Sequence, residues 1–119
     1  MSTYVNNLET GSVVITDEVI ESISAAEASK VEGVTKNQQG LMNVFATANS
    51  EGVDVNIVDK TVYIKINVSV EMGYSLDKIC SDIQENVKET VENMTGLDVA
   101  EVNVVIGDIS KPKKEKGNN

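Results

Sequence analysis

Along residues 53–70 apolar and polar side chains alternate: Val53, Val55 and Ile57 are interleaved with Asp54 and Asn56, then Val62, Ile64, Ile66, Val68 and Val70 with Tyr63, Lys65, Asn67 and Ser69. A period of two puts each set on its own face of a pleated strand, so the pattern predicts two half-buried strands. Asp59-Lys60 between them fits the tight turn of a hairpin, although Lys accepts positive φ poorly and makes the turn weaker than Asp-Gly. Past Gly73 the period lengthens. Leu76, Ile79, Cys80, Ile83, Val87, Val91 and Met94 recur at steps that bring them to one side of a helix, with Asp77, Lys78, Asp82, Glu85, Lys88, Glu89 and Glu92 on the other. Ser75 can cap its start, and Gly96 supplies a left-handed stop.

The same reasoning extends outward from this centre. Ser12–Ile15 is a short β-rich run, Thr16 is a fair N-cap, and Asp17 and Glu18 suit the positive end of a helix carrying Val19, Ile20, Ile23, Ala26 and Val31 toward a stop at Glu32-Gly33. A last strand has Ala100, Val102, Val104 and Ile106 on one face and Glu101 and Asn103 on the other. Residues 37–52 fit a short helix and an irregular strand equally. The order strand, helix, insert, hairpin, helix, strand predicts a single small α+β domain over residues 11–109, a βαββαβ-like sheet with two helices packed on one face. Residues 1–10 and the Lys-rich residues 110–119 are expected to be flexible. Tyr63, Lys65, Asn67, Glu101 and Asn103 should look away from the helices.

Charge narrows the function classes. The 119 residues carry 19 acidic and 10 basic groups, a net of -9 with no His, and every basic residue is Lys. Up to Ser110 there are 18 acidic groups against 6 Lys, a net of -12, and the tail adds four of the Lys. Nucleic-acid affinity rests on clustered cations, and anionic lipid repels an acidic surface, so neither nucleic acid nor a bare membrane is an expected partner. Without Arg the chain also lacks the planar fork that reads phosphate in a bidentate way. No run approaches the roughly 18–20 apolar residues of a membrane span. Met1 to Thr10 lack the basic start and apolar stretch of a secretory signal. The expected location is the cytoplasm, without direct membrane insertion.

Reactive chemistry is thin. Cys80 lies in the apolar helical stripe with no His to activate it, which favours a buried packing role over a nucleophile. One Cys and no His leave no thiolate or imidazole set for zinc. The groups Asp17, Glu18, Glu21 and Glu85, Glu89, Glu92 read as solvated helix faces, because nothing gathers either into a pocket. No phosphate-loop, dinucleotide or EF-hand spacing is present. The expectation is a protein without turnover, cofactor or metal. The competing expectation is a small-ligand carrier or enzyme that uses Asp17, Glu21 or Tyr63 in a pocket hidden from sequence.

Gly52-Val53-Asp54-Val55, Glu71-Met72-Gly73, the run from Gln84 through Thr95-Gly96-Leu97, and Val99-Ala100-Glu101-Val102-Asn103-Val104 together resemble the alkaline shock protein family of Gram-positive bacteria, a general-stress and envelope-stress group. Ile15 to Ile20 and Val31-Glu32-Gly33-Val34 are similar to its start, so the likeness spans roughly Gly11 to Ile109. The chain departs from the family at Met72-Gly73, where Tyr-Gly is usual, and at Asn37 to Asn49, which lacks the usual Gly-rich, Leu-rich wording. The resemblance implies a non-enzymatic cytoplasmic protein that accumulates under stress, reaches the envelope through a small membrane-anchored protein partner, and self-associates. It carries over no catalytic residue. The outer sheet face or an unpaired edge is the expected contact, with Tyr63, Lys65, Asn67, Glu101 and Asn103 as its residues.

Overall fold

In the computed structural model, which describes residues 2–35 and 52–111, the chain runs β1 (Thr3–Leu8), β2 (Gly11–Thr16), α1 (Asp17–Ser29), β3 (Val53–Val58), β4 (Thr61–Glu71), α2 (Leu76–Thr95) and β5 (Asp98–Ser110). The readings made for residues 37–52 lie outside the described residues except at Gly52, as does the tail beyond Lys111. The alternating run forms the predicted hairpin, with Val58 opposite Thr61. Its turn places positive φ on Asp59 and, among the described non-glycine residues, nowhere else. Asp tolerates that conformation, so Lys60 need not adopt it.

The expected α+β class holds, with one departure in the sheet. The order β3-β4-β5 makes a three-stranded sheet, whereas β2 pairs with β1 as a separate two-stranded ribbon. Residues 3–8 belong to the stretch expected to be flexible, yet they form β1, antiparallel to β2 with Tyr4 opposite Ile15. That pair is partly buried against the core and seats the ribbon. Ser2 clasps it from two sides: its N–H donates to Asp17 Oδ2 at 3.0 Å, and its Oγ accepts from the Ile57 N–H at 3.1 Å.

Inward-facing Val62, Ile64, Ile66, Val68 and Val70 of β4 are buried, and so are Ile79, Ile83, Val87 and Val91 of α2. These two rows are the centre of a core that α1 completes through Ile20 and Ala28. Ser75 Oγ accepts from the Lys78 N–H, and Gly96 ends the helix at φ 77, as the sequence predicts. The ends of the predicted stripe, Leu76 and Met94, are exposed. On α1 the buried row is Ile20, Ser24 and Ala28, while Val19, expected inside, is exposed. Strand β5 runs parallel to β4, giving the mixed sheet. A register shift between Val62 and Tyr63 leaves Ala100 as an extra residue. This bulge reverses the phase, so Val99 is buried and Ala100, expected inside, is exposed.

Candidate functional site

The helices cover one face of the sheet, and the other face is where the structure puts all five side chains singled out from sequence. Tyr63, Lys65 and Asn67 occupy alternate outward positions of the central strand. The β5 bulge brings Glu101 opposite Tyr63 and Asn103 opposite Lys65, while Asn67 faces Val105. On the other flank Asn56 pairs with Tyr63 and Asp54 with Lys65. The result is two cross-strand rows, Asn56-Tyr63-Glu101 and Asp54-Lys65-Asn103, around a shallow depression of about 210 Å³. Asp54 and Asn56 were not among the residues expected there. Counting the antiparallel register back from the Asp59-Lys60 turn would have found them.

The face is wet and mixed in charge. Asn103 Nδ2 donates to Glu101 Oε1 at 3.0 Å. Lys65, exposed between Asp54 and Asn103, makes no ion pair among the described residues. Such a row gives orientation and specificity to a docking partner more than it gives raw affinity.

Asp17 and Tyr63, both named for the competing pocket, are not brought together, although Tyr63 lines the 210 Å³ depression beside Asp54 and Glu101. Asp17, expected on a solvated face, is buried at the start of α1 and accepts from Ser2, while Tyr63 stands on the far side of the sheet. Glu21 lies on α1. A second depression, about 300 Å³, has Ala28, Val34, Val53, Ile66 and Val68 in its wall and no ionisable group among its described lining residues. Cys80 is half-buried in α2, and burial, then the charge of Asp77, push its thiol pKa up, away from the reactive thiolate. Among the described residues no three His, Cys, Asp or Glu gather in a group that could hold a metal ion.

Glu92 also departs from the solvated-face reading. Its Oε2 accepts from the Val99 N–H at 2.9 Å and from Lys88 Nζ at 3.0 Å. The backbone bond first, and Lys88 second, hold its pKa below the ordinary 4.5. The stability contributed is therefore full above that ordinary value and is lost as pH falls through the lower folded value. Urea titrations across the acid limb should show Glu92→Gln less stable than the parent at neutral pH, with the gap closing under acid. A gap that does not change with pH would mean the carboxylate charge is irrelevant to the Val99 bond.

A family model described as the alkaline shock protein 23 family, with a cell envelope-related function, matches residues 5–111. The uncharacterized protein YqhY of Bacillus subtilis is 36% identical over 101 residues, covering 81% of this chain and 75% of that one. A stress response regulator gls24 homolog of Streptococcus pyogenes is 31% identical over 105 residues, covering 83% of this chain and 59% of that one. The chain thus spans about three fifths of the streptococcal protein's length. A substituted MamM CTD resembles 77% of this chain and 94% of its own at 13% identity and a TM-score of 0.49, too loose a likeness to bear on fold or function.

Proposed function

The chain belongs to the alkaline shock protein 23 family, whose function is cell envelope-related, and from that premise we propose that it is a non-enzymatic, stress-associated interaction module linked to the envelope through protein partners and self-association. The observation that carries the reading is the uncovered sheet face, on which Tyr63, Lys65, Asn67, Glu101 and Asn103 stand in register across β4 and β5. Among the described residues no helix is long and apolar enough to cross a membrane. A net charge of -12 up to Ser110 sets the chain against anionic lipid, so a small membrane-anchored protein supplies the link, and the domain works from the cytoplasmic side.

The test is capture from native membranes at moderate salt, comparing the parent with a triple variant, Lys65→Glu, Glu101→Lys and Asn67→Tyr. Loss of the captured membrane protein by at least about tenfold, with an unchanged melting curve, is the expected result for a docking surface whose centre has been altered. The reading fails if the parent captures nothing beyond an unrelated acidic protein and instead floats with anionic liposomes on its own. A saturable turnover abolished by replacing Asp17, Glu21 or Tyr63 in a folded protein would replace it with an enzyme.

A further inference from the structure

Among the described strands β5 is an edge of the sheet, and the side it turns away from β4 is treated differently along its length. At its start, polar side chains of α2 hold the outward backbone groups. Glu92 takes the Val99 N–H at 2.9 Å, Lys88 donates to the Val99 C=O at 3.1 Å, and Gln84 donates to the Val102 C=O at 3.0 Å. Both backbone groups of one residue point the same way in a strand, and alternate residues agree. Beyond Val102 the open side therefore belongs to Val104 and Ile106 and, past the irregularity at Gly107, to Ile109. The capping row of α2, spaced by fours, continues at Cys80 and Leu76, neither of which carries a strong hydrogen-bonding group. Protection stops where the edge becomes apolar: Val104 and Ile106 are half-buried, and Val105 and Ile109 are exposed. Asp108 is the sole charge from Val102 to Ile109, and neither Lys nor Pro blunts the stretch.

We propose that this stretch pairs antiparallel with the same stretch of a second copy of the chain, about a two-fold axis at Val105. The inference rests on the self-association in the function proposed above and assigns it a surface. Self-complementarity is what selects a second copy as the occupant. Centred on Val105, the register sets Val105 against itself, Val104 against Ile106, Asn103 against Asp108 and, at its limit, Val102 against Ile109, with Gly107 left over as the bulged residue. Inner-face pairs are all apolar, and no like charges meet. Each Val104–Ile106 pair exchanges both of its N–H···O bonds, and Val105 falls at the closer, non-hydrogen-bonded position. The α2 caps end the pairing at Val102 in each copy, which matches the end of the apolar stretch at Ile109. Because the contact is isologous, it closes on itself and uses the β5 edge of each copy.

Two full-chain variants test this. With Cys80→Ser removing the native thiol, Val105→Cys places two thiols at a spacing of about 4.5 Å between Cα atoms, within disulfide reach. Mild oxidation should link it at least about tenfold faster than the same background carrying Val58→Cys on the opposite edge strand. Ile106→Pro removes an N–H that the fold itself does not use, and should abolish the dimer seen by sedimentation without changing the circular dichroism. Each copy carries a net charge of -9, so dimerisation of the parent should strengthen with salt. If the parent self-associates but Ile106→Pro has no effect and the two thiols link equally slowly, this surface is wrong while self-association stands. A parent that stays monomeric at every concentration and salt overturns both, leaving partner docking to be judged by the membrane capture.

Discussion

Ile83→Ala should lower the unfolding free energy by about 2–5 kcal/mol, the range for truncating a fully buried aliphatic side chain. Ile83 is 0% exposed, one turn from Ile79 and Val87 on the face of α2 that meets the sheet. Its neighbours belong to β-strands and to a capped helix, which collapse poorly around a void, so the cavity adds to the lost transfer free energy. Urea denaturation measures the change, and an unaltered slope would show that the native compactness survives. Against a typical total of about 5–15 kcal/mol, the loss would leave a domain near the edge of folding. A change below about 1 kcal/mol would mean that α2 does not rest on the sheet through this side chain.

Gly33→Ala should be comparably damaging for a different reason. Gly33 has φ 100, and an added Cβ would stand 2.7 Å from Ile79 Cδ1 and 2.9 Å from Tyr74 Cγ. The backbone strain is worth about 1–2 kcal/mol and overpacking about 1–3 kcal/mol, so the expected loss is about 2–5 kcal/mol. Ile79 is buried and is met at both Cδ1 and Cγ1, and Tyr74, though on the surface, is met at the root of its ring. The Gly33 C=O also accepts from the Glu71 N–H at 2.8 Å, so a displaced residue 33 pulls on the end of β4. A double-mutant cycle with Ile79→Val, which deletes the crowded methyl, should cost less than the two single changes added together. Simple additivity would show that strain, rather than the clash, accounts for the loss.

The hairpin and α2 were legible because each has one wet face and one buried face, and burial imprints its period on the sequence. Strand β1 left no such imprint: apart from half-buried Tyr4 it is exposed, so nothing required its residues to alternate. The inner row of α1 was misread because Ser24, a hydroxyl residue at 0% exposure, stands in line with Ile20 and Ala28 where hydropathy looks for an apolar side chain, while apolar Val19 is exposed. On β5 the phase expected for residues 101–106 held and only Ala100 was misplaced, because the bulge there inserts one residue into the alternation. At the candidate face the five outward side chains follow from parity alone. Their alignment into rows with Asp54 and Asn56 does not, because register depends on turn geometry and on that same bulge.

Ser2 joins the ribbon to the body through Asp17 and the Ile57 N–H, and beyond that clasp the ribbon has, among the described residues, the Tyr4 and Ile15 pair for apolar anchorage. A two-stranded ribbon is marginal by itself in water. The amides of the ribbon and of the core elements therefore fall into two classes of solvent protection. Those of β1 and β2 open through a local, sub-global event that leaves the three-stranded sheet intact, while those of β4 and α2 exchange only when the whole domain comes apart.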